Sequence, residues 1–393
     1  MSRPLRVLFV NPGRDLGGAE RSLLLLLQAL RPKGVDATVA LFGDGPFGAR
    51  LASLGIPTVL FDVGDAVRRA SRYRARGLVG TALLSFQTLP AVVRLARLAR
   101  RLDVDVVHTN GLKAHLLGGL AGRLIRRPVV WHLRDFFPGA LSGRVLRRSA
   151  RLLPSLVFAV SDAVAADVRG VGRPTPPVVR LYDAIDIARF EPCPTDHIRQ
   201  ELSLSADAPL VGMVAHLTPW KGHEDFLRIA RIISDAIPQA RFLVAGGAIY
   251  ETEGHRGYAE SLRRRAAELE LADRVTFLGT RDDVPKILAS LDVLVHCPTA
   301  PEPYGRVVIE GMAAQRPVVA SNAGGVPEIV EHEITGLLIA PGNVHGFAGA
   351  VLRLLGDSAL RRRMGDAGRR RAATLSNPGP HAEAVLSAYR ALA

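Results

Sequence analysis

The sequence is poor in cysteine: Cys193 and Cys297 are the only two among 393 residues. Two thiols cannot build a disulfide framework, so a reducing cytoplasm is the expected setting, and their spacing offers no metal site. Cys297 closes an apolar run, where an inert buried thiol is the simpler reading. Aromatic residues make up only 5% of the chain. No nucleic-acid motif accompanies the basic charge, so nucleic acid is not an expected partner. No run of residues has the length and apolarity of a membrane span; Gly77–Val93 lacks charge but is interrupted by Gln87, Thr88 and Pro90. The opening MSRPLRVLFV leads directly into a strand, without the apolar core and cleavage site of a secretory signal. The Gly-x-Gly-x-x-Gly dinucleotide fingerprint is missing as well: the first glycine loop reads Asn11-Pro-Gly-Arg-Asp-Leu-Gly17-Gly18.

Acidic charge is scarce in one half only. Residues 1–190 carry 29 Lys+Arg against 13 Asp+Glu, whereas the remainder carries 22 against 24. The excess collects in Arg68, Arg69, Arg72, Arg74 and Arg76, then Arg94, Arg97, Arg100 and Arg101, then Arg144, Arg147, Arg148 and Arg151. Two readings stay open: solvated helix faces in an arginine-rich chain, or a surface that meets anionic lipid.

What is present is enough apolar residue for full cores, 48%, in a chain longer than one core usually supports. Short apolar runs recur at Leu5–Val10, Ala37–Phe42, Thr58–Val63, Val104–His108, Pro128–His132 and Leu156–Val160. They resume at Leu210–Ala215, Arg241–Ala245, Val275–Leu278, Val293–His296, Val318–Ser321 and Leu337–Ile339. Helical segments separate them, the first around Arg21–Leu30, which predicts parallel sheets with helices on both faces. Proline-rich stretches at Pro174–Pro177 and Pro192–Pro194 read as the connection between two α/β domains. Pro380–Ala393 reads as a final helix.

The segment Glu302-Pro-Tyr-Gly-Arg-Val-Val-Ile-Glu310 is the most telling. Pro303 and Gly305 disfavour helix through Glu302, and the apolar run from Val307 favours one. Glu302 should therefore lie just before a helix and Glu310 one to two turns inside it. The unpaired N–H groups of such a helix start could receive a phosphate, with a carboxylate on either side. Lys221, in Trp220-Lys221-Gly222, is at a second helix start, where a lysine opposes the dipole unless an anion is present. Asp103-Val-Asp105 opens a strand and reads as ordinary alternation around Val104, not as a metal-binding pair.

EPYGRVVIE resembles the E-x7-E motif of retaining glycosyltransferases of the GT-B fold, family 4. Gly17-Gly18-Ala19-Glu20, Trp131-His132-Leu133-Arg134-Asp135, Trp220-Lys221-Gly222, Gly324-Gly325-Val326-Pro327-Glu328 and Thr335-Gly336-Leu337-Leu338 follow the same family's order. The resemblance covers nearly the whole chain. It implies two Rossmann-like domains facing a central cleft: residues 1–190 on the acceptor side and 191–375 holding a nucleotide sugar. A helix over 376–393 returns to the first domain.

By resemblance, Lys221 grips the donor diphosphate and Glu302 the transferred sugar. Glu310 takes the ribose hydroxyls and His132 lies near the reacting centre. Gly17, Gly18, Tyr304, Gly305, Arg306 and Val307 are assigned to the donor, and Arg281 to the base pocket. His216 stands where many relatives have a phosphate-binding arginine, so its role is conditional on protonation. His108, Asn110 and Lys113 are acceptor-side candidates from topology. Asp135 and the Gly324-Gly325 turn read as architectural. No cofactor and no metal are expected, since basic side chains and a helix end would neutralise the leaving diphosphate.

The expected activity is transfer of a sugar from a nucleoside-diphosphate sugar to an acceptor hydroxyl. Lipid-linked and small-molecule acceptors are both open, and envelope polysaccharide or glycolipid assembly at the inner face of the cell membrane fits the basic half. The alternatives are a nucleotide-sugar epimerase and a non-catalytic membrane-associated protein of the same fold.

Overall fold

The computed structural model describes residues 3–64, 78–139, 141–170, 176–191, 197–247 and 257–393. Arg68, Arg69, Arg72, Arg74, Arg76, Gly77, Pro174, Pro192, Cys193 and Pro194 lie outside the described residues. The chain divides into two compact units. Unit 1 is Met1–Ala184 with Pro378–Ala393, and unit 2 is Ile185–Asn377.

Unit 1 is a seven-stranded parallel sheet. Its strands are β1 (Leu5–Asn11), β2 (Val35–Leu41), β3 (Thr58–Leu60), β4 (Val106–Asn110), β5 (Val129–Leu133), β6 (Leu156–Ala159) and β7 (Val178–Arg180), in the order β3-β2-β1-β4-β5-β6-β7. The central strands β4, β5 and β6 are buried along their whole length, as a parallel sheet covered on both faces requires. One face carries Val7, Phe9 and Val39 against the helices Gly18–Leu30, Pro46–Ser53 and Pro378–Leu392. The last of these helices buries Ala382, Val385, Leu386 and Tyr389, a stripe with the three- and four-residue spacing of one helix face. β7 was not foreseen. It holds three residues between Pro177 and Leu181, too few to show an alternation.

Unit 2 is a six-stranded parallel sheet. It contains β8 (Leu210–Val214), β9 (Arg241–Ala245), β10 (Val275–Gly279), β11 (Val293–His296), β12 (Val318–Ser321) and β13 (Gly336–Ile339), in the order β10-β9-β8-β11-β12-β13. Its core joins Phe226, Ile229 and Ile233 of helix His223–Ala236 to Phe242, Val244, Val295 and Phe347. Each sheet reverses its strand order beside its first strand, between β1 and β4 and between β8 and β11. Ligands of such sheets bind beyond the carboxyl ends of the strands at that reversal.

Candidate active site

In unit 2 the reversal point gathers three motifs that are far apart in sequence. After β8 the chain makes a turn over Pro219–Lys221, passes through Gly222 at φ 82°, and enters helix His223–Ala236. A Cβ at position 222 would stand 1.8 Å from the Cys297 carbonyl oxygen, so only glycine fits where this turn meets the segment after β11. The Cys297 thiol donates to the Gly222 carbonyl at 3.3 Å, and Thr299 N–H donates to the Trp220 carbonyl at 2.9 Å. This docking lets Lys221 Nζ donate to Glu302 Oε2 at 2.6 Å, while the ammonium also lies 4.1 Å from the Trp220 ring centre. His296, the last residue of β11, brings Nε2 to 3.4 Å from the same carboxylate oxygen.

The Glu302 backbone is anchored by the glycine pair read as architectural. Gly325 N–H donates to the Glu302 carbonyl at 2.8 Å, and Gly324 forms a parallel bridge with Glu302. A Cβ on Gly324, at φ 67°, would meet that carbonyl at 2.1 Å. Burial pushes the Glu302 carboxyl up, but Lys221, then His296, outweighs it and holds the group at about 2. Burial pushes the His296 imidazole down against the pull of Glu302. Glu302 is therefore held as an anion beside Lys221. Cys297 is a buried thiol whose pKa burial pushes well up.

Gly305 takes φ 97° and opens helix Arg306–Ala313 without a side-chain cap. Glu302 lies before this helix and Glu310 inside it. The partner a semi-buried Glu310 needs is Arg306, whose Nε donates to Glu310 Oε1 at 2.8 Å. Val307 is half-buried in the first turn. His216 sits half-buried in the loop directly after β8.

Two donor-side candidates have their polar groups engaged within unit 2. The Tyr304 side chain is buried, and its hydroxyl is hydrogen-bonded to Ser376 Oγ at 2.8 Å, so it serves the interior of unit 2. Arg281 follows β10, but its guanidinium is gripped by Asp283 at 2.7–2.8 Å and by Glu201 at 2.7–2.9 Å. Two carboxylates occupy the donors that a base pocket would need.

In unit 1 the strand ends are closed by a buried polar knot. Asn110 Nδ2 donates to Asn11 Oδ1 at 2.6 Å across the reversal between β4 and β1. Arg134, just past β5, donates to Asn110 Oδ1, to Ser22 Oγ at 3.2 Å and to Asp183 Oδ1 at 3.0 Å. Ser22 Oγ donates to Asp183 Oδ1 at 2.8 Å. Asn110 is thus locked and buried, not open to an acceptor.

His108 and His132 depart from expectation in the same way. Both are 0% exposed. His108 Nδ1 meets the Tyr389 hydroxyl at 2.6 Å, and the His132 ring packs among His108, Phe158 and His381. Burial, reinforced by Arg134, holds both imidazoles well below their ordinary value. They sit inside unit 1 as neutral rings, and no ring nitrogen of His132 has a hydrogen-bond partner. Lys113 is half-buried near the start of helix Leu112–Leu124, and burial lowers its pKa. Gly17 and Gly18 mark the start of helix Gly18–Leu30, where Glu20 is pushed up by burial and held by Asn11. Asp103 and Asp105 are not alternating strand residues: they precede β4, and Asp103 has φ 47°. They tie Arg3, Arg6 and Arg127 together, a structural knot.

Sequence reading passed over His296, Arg134 and Asp183. His296 and Arg134 stood beside apolar strands as lone polar residues, a signal that could have found them. Asp183 lies in a loop with no pattern around it.

Two family models match the chain: Glycosyltransferase Family 4 over residues 16–189 and Glycosyl transferases group 1 over residues 194–371. The GDP-mannose-dependent alpha-(1-6)-phosphatidylinositol monomannoside mannosyltransferase of Mycobacterium tuberculosis is 31% identical over 330 residues, 78% of this chain and 81% of that protein. The chain belongs to glycosyltransferase family 4. This family 4 enzyme is also 30% identical to the alpha-maltose-1-phosphate synthase of M. tuberculosis, over 82% of its own length and 87% of that protein. Among solved structures, Anabaena HepE in complex with UDP and glucose matches with a TM-score of 0.85 and 29% identity, covering 99% of this chain and 100% of that one. The family 4 transferase thus has the GT-B fold, and Lys221, Glu302 and Glu310 stand in its group 1 half.

Proposed function

We propose that unit 2 binds a nucleoside-diphosphate sugar at the start of helix Arg306–Ala313 and that transfer proceeds with retention of anomeric configuration. The observation that carries this is the 2.6 Å contact between Lys221 and Glu302 beside that helix start. An ammonium held by one carboxylate is ready to exchange it for a diphosphate. Glu302, freed, can then accept from sugar hydroxyls. Glu310 lies one turn into the helix, in reach of a second set of hydroxyls. The leaving charge falls on Lys221 and the positive helix end, so turnover is expected to survive chelation of divalent metal. With no protein base assigned, the departing phosphate takes the acceptor proton.

Relatives named for GDP-mannose use and a neighbour solved with UDP set the range of donors to try. The basic unit 1 suits an acceptor carried on an anionic membrane, as in envelope polysaccharide or glycolipid assembly on its cytoplasmic face. The test is release of free nucleoside diphosphate from UDP-, GDP-, ADP- and dTDP-sugars, with and without a membrane-lipid extract. Release of one nucleotide, raised by extract and giving a product of unchanged anomeric configuration, is the expected result. Interconversion of the donor sugar alone would replace transfer with epimerisation, and donor binding without release would replace it with a non-catalytic role.

A further inference from the structure

We infer that the outer face of helices Leu78–Arg101, Leu112–Leu124 and Leu141–Ser149 in unit 1 docks on the anionic headgroups of a lipid bilayer. This deepens the proposed membrane setting by naming the surface, and it is measured separately from sugar transfer.

The three helices connect β3 to β4, β4 to β5 and β5 to β6. Right-handed crossovers in one direction along a sheet put all three on the same face. They touch in sequence order. Arg100 Nη2 donates to the Leu124 carbonyl at 3.4 Å and Arg123 Nε to the Leu153 carbonyl at 3.0 Å, lacing their ends. Gly118 and Gly122 seat the middle helix on Thr109 and Val129, so Leu120, Arg123 and Leu124 point away from the sheet.

What faces outward is unusual in sign and polarity. None of the three helices contains an aspartate or glutamate. Among the described residues, Arg97, Arg101, Arg126, Arg144 and Arg148 are exposed and within ion-pair distance of no carboxylate. Between them stand Leu89, Leu120, Leu124, Val145 and Leu152, five of the eight exposed large hydrophobics found in the described residues. Leu124 and Leu152 are 51% and 69% exposed. An ordinary solvated helix face mixes signs through pairs one turn apart. Cations alternating with leucines, and no acid, instead match a bilayer interface, where apolar side chains enter the acyl boundary and arginines take phosphates. A second copy of this face would oppose like charge with like charge. Nucleic acid would leave the leucines without a partner.

The test is flotation with vesicles of phosphatidylglycerol and phosphatidylcholine against vesicles of phosphatidylcholine alone. Binding to the anionic vesicles, weakened by salt, is expected. Arg97→Gln with Arg144→Gln and Arg148→Gln should weaken it by about fivefold per arginine, the equivalent of about 1 kcal/mol per cation near an anionic leaflet. Leu120→Asp with Leu124→Asp should also weaken it, whereas Arg362→Gln with Arg363→Gln in unit 2 should not. All these side chains are exposed, so unchanged thermal unfolding is the folding control. Equal binding to both vesicles, no binding, retention in both unit 1 variants, or capture of an RNA oligonucleotide in place of vesicles would overturn the inference. Vesicle binding without release of nucleoside diphosphate would sink the reaction proposed above and keep this surface; release without binding would do the reverse.

Discussion

Both units are parallel sheets that reverse beside their first strand, yet they set their helical arginines in different surroundings. In unit 2 the arginine-rich helix Ser358–Leu375 folds the guanidinium groups of Arg361, Arg369 and Arg371 back onto protein, while Arg362, Arg363 and Arg370 stay exposed. Arg361 donates to the Leu354 and Leu355 carbonyls, and Arg369 to those of Phe190 and Ala313. Arg371 donates to those of Ile329 and Glu328 and pairs with Glu331. On and beside the acid-free helices of unit 1, Arg97, Arg101, Arg126, Arg144 and Arg148 are exposed and meet no carboxylate among the described residues. An arginine-biased composition explains how many there are in each unit; only the contacts separate cations that hold the fold from cations left for a partner.

The same contrast runs through the buried ion pairs. Arg134 and Asp183 in unit 1 are 6% and 7% exposed, Ser22 bonds both and Asn110 accepts from Arg134, whereas Lys221 and Glu302 in unit 2 are 14% and 11% exposed. The first pair is enclosed by further hydrogen bonds, and the second lies at a strand end beside the start of helix Arg306–Ala313. Arg134→Met is the largest expected break. It strands Asp183 without its counter-ion, and unfolding free energy should fall by about 3–5 kcal/mol in a urea titration. A loss below about 1 kcal/mol would mean that water already reaches the pair and that the two units do not differ in this way.

Lys221→Ala should act on rate. Removing one group that stabilises leaving charge costs about 10²- to 10³-fold in kcat, with donor KM moved less. Glu310→Ala should do the opposite, raising donor KM more than it lowers kcat. Steady-state kinetics of nucleoside diphosphate release separates the two. Equal effects of both variants on both constants would dissolve the division of labour between Lys221 and Glu310.

Much of this was legible in the sequence because it rests on local pattern. The run Leu23–Leu27 and the β-branched residues of Val318–Ser321 give their elements away by composition and period. Glu302, Pro303 and Gly305 mark a helix start through backbone chemistry alone. What stayed hidden depends on distance in three dimensions. Nothing near Gly324 says that its missing side chain admits the Glu302 carbonyl, and nothing near Asp183 says that Arg134 lies beside it. Burial was misjudged for the same reason: a histidine at a strand end looks available until Tyr389, from the far end of the chain, is seen against His108. Arg281 likewise looked available until Glu201, from a helix 80 residues away, was found on it.

The histidines give a smaller effect per residue and the sharpest difference in pH. Burial depresses His108, His115, His132 and His381 in unit 1, His115 to about 3, and His223 and His296 in unit 2, His223 to about 4. The unfolded chain therefore takes up these protons first. Stability is intact above the unfolded value near 6.5 and falls as pH drops from there toward the folded values, by about 1.4 kcal/mol per pH unit for each histidine. The protein has one tryptophan in each unit, Trp131 and Trp220. With Trp220→Phe leaving Trp131 as the reporter, the acid transition should come at higher pH than with Trp131→Phe leaving Trp220. Coincident transitions would show that the units lose structure together.

The smallest effect falls on Tyr304, where the motif and the structure disagree. Its place between Glu302 and Gly305 suggests a donor contact, but its hydroxyl bonds Ser376 Oγ, and the Ser376 carbonyl accepts from Ile185 N–H at 3.0 Å. Ile185 is the first residue of unit 2 and Ser376 its last but one, so the tyrosine braces the motif loop against both points where the chain crosses between units. Tyr304→Phe keeps the ring and deletes one buried hydrogen bond, which costs about 1 kcal/mol and should lower Tm by about 2–4 °C. Donor KM should stay where it is, because the hydroxyl points at Ser376. A raised KM with unchanged Tm would return Tyr304 to the donor site and make the Ser376 contact incidental. Ser376→Ala decides between them from the other side: it should match Tyr304→Phe in Tm if the two hydroxyls act on each other.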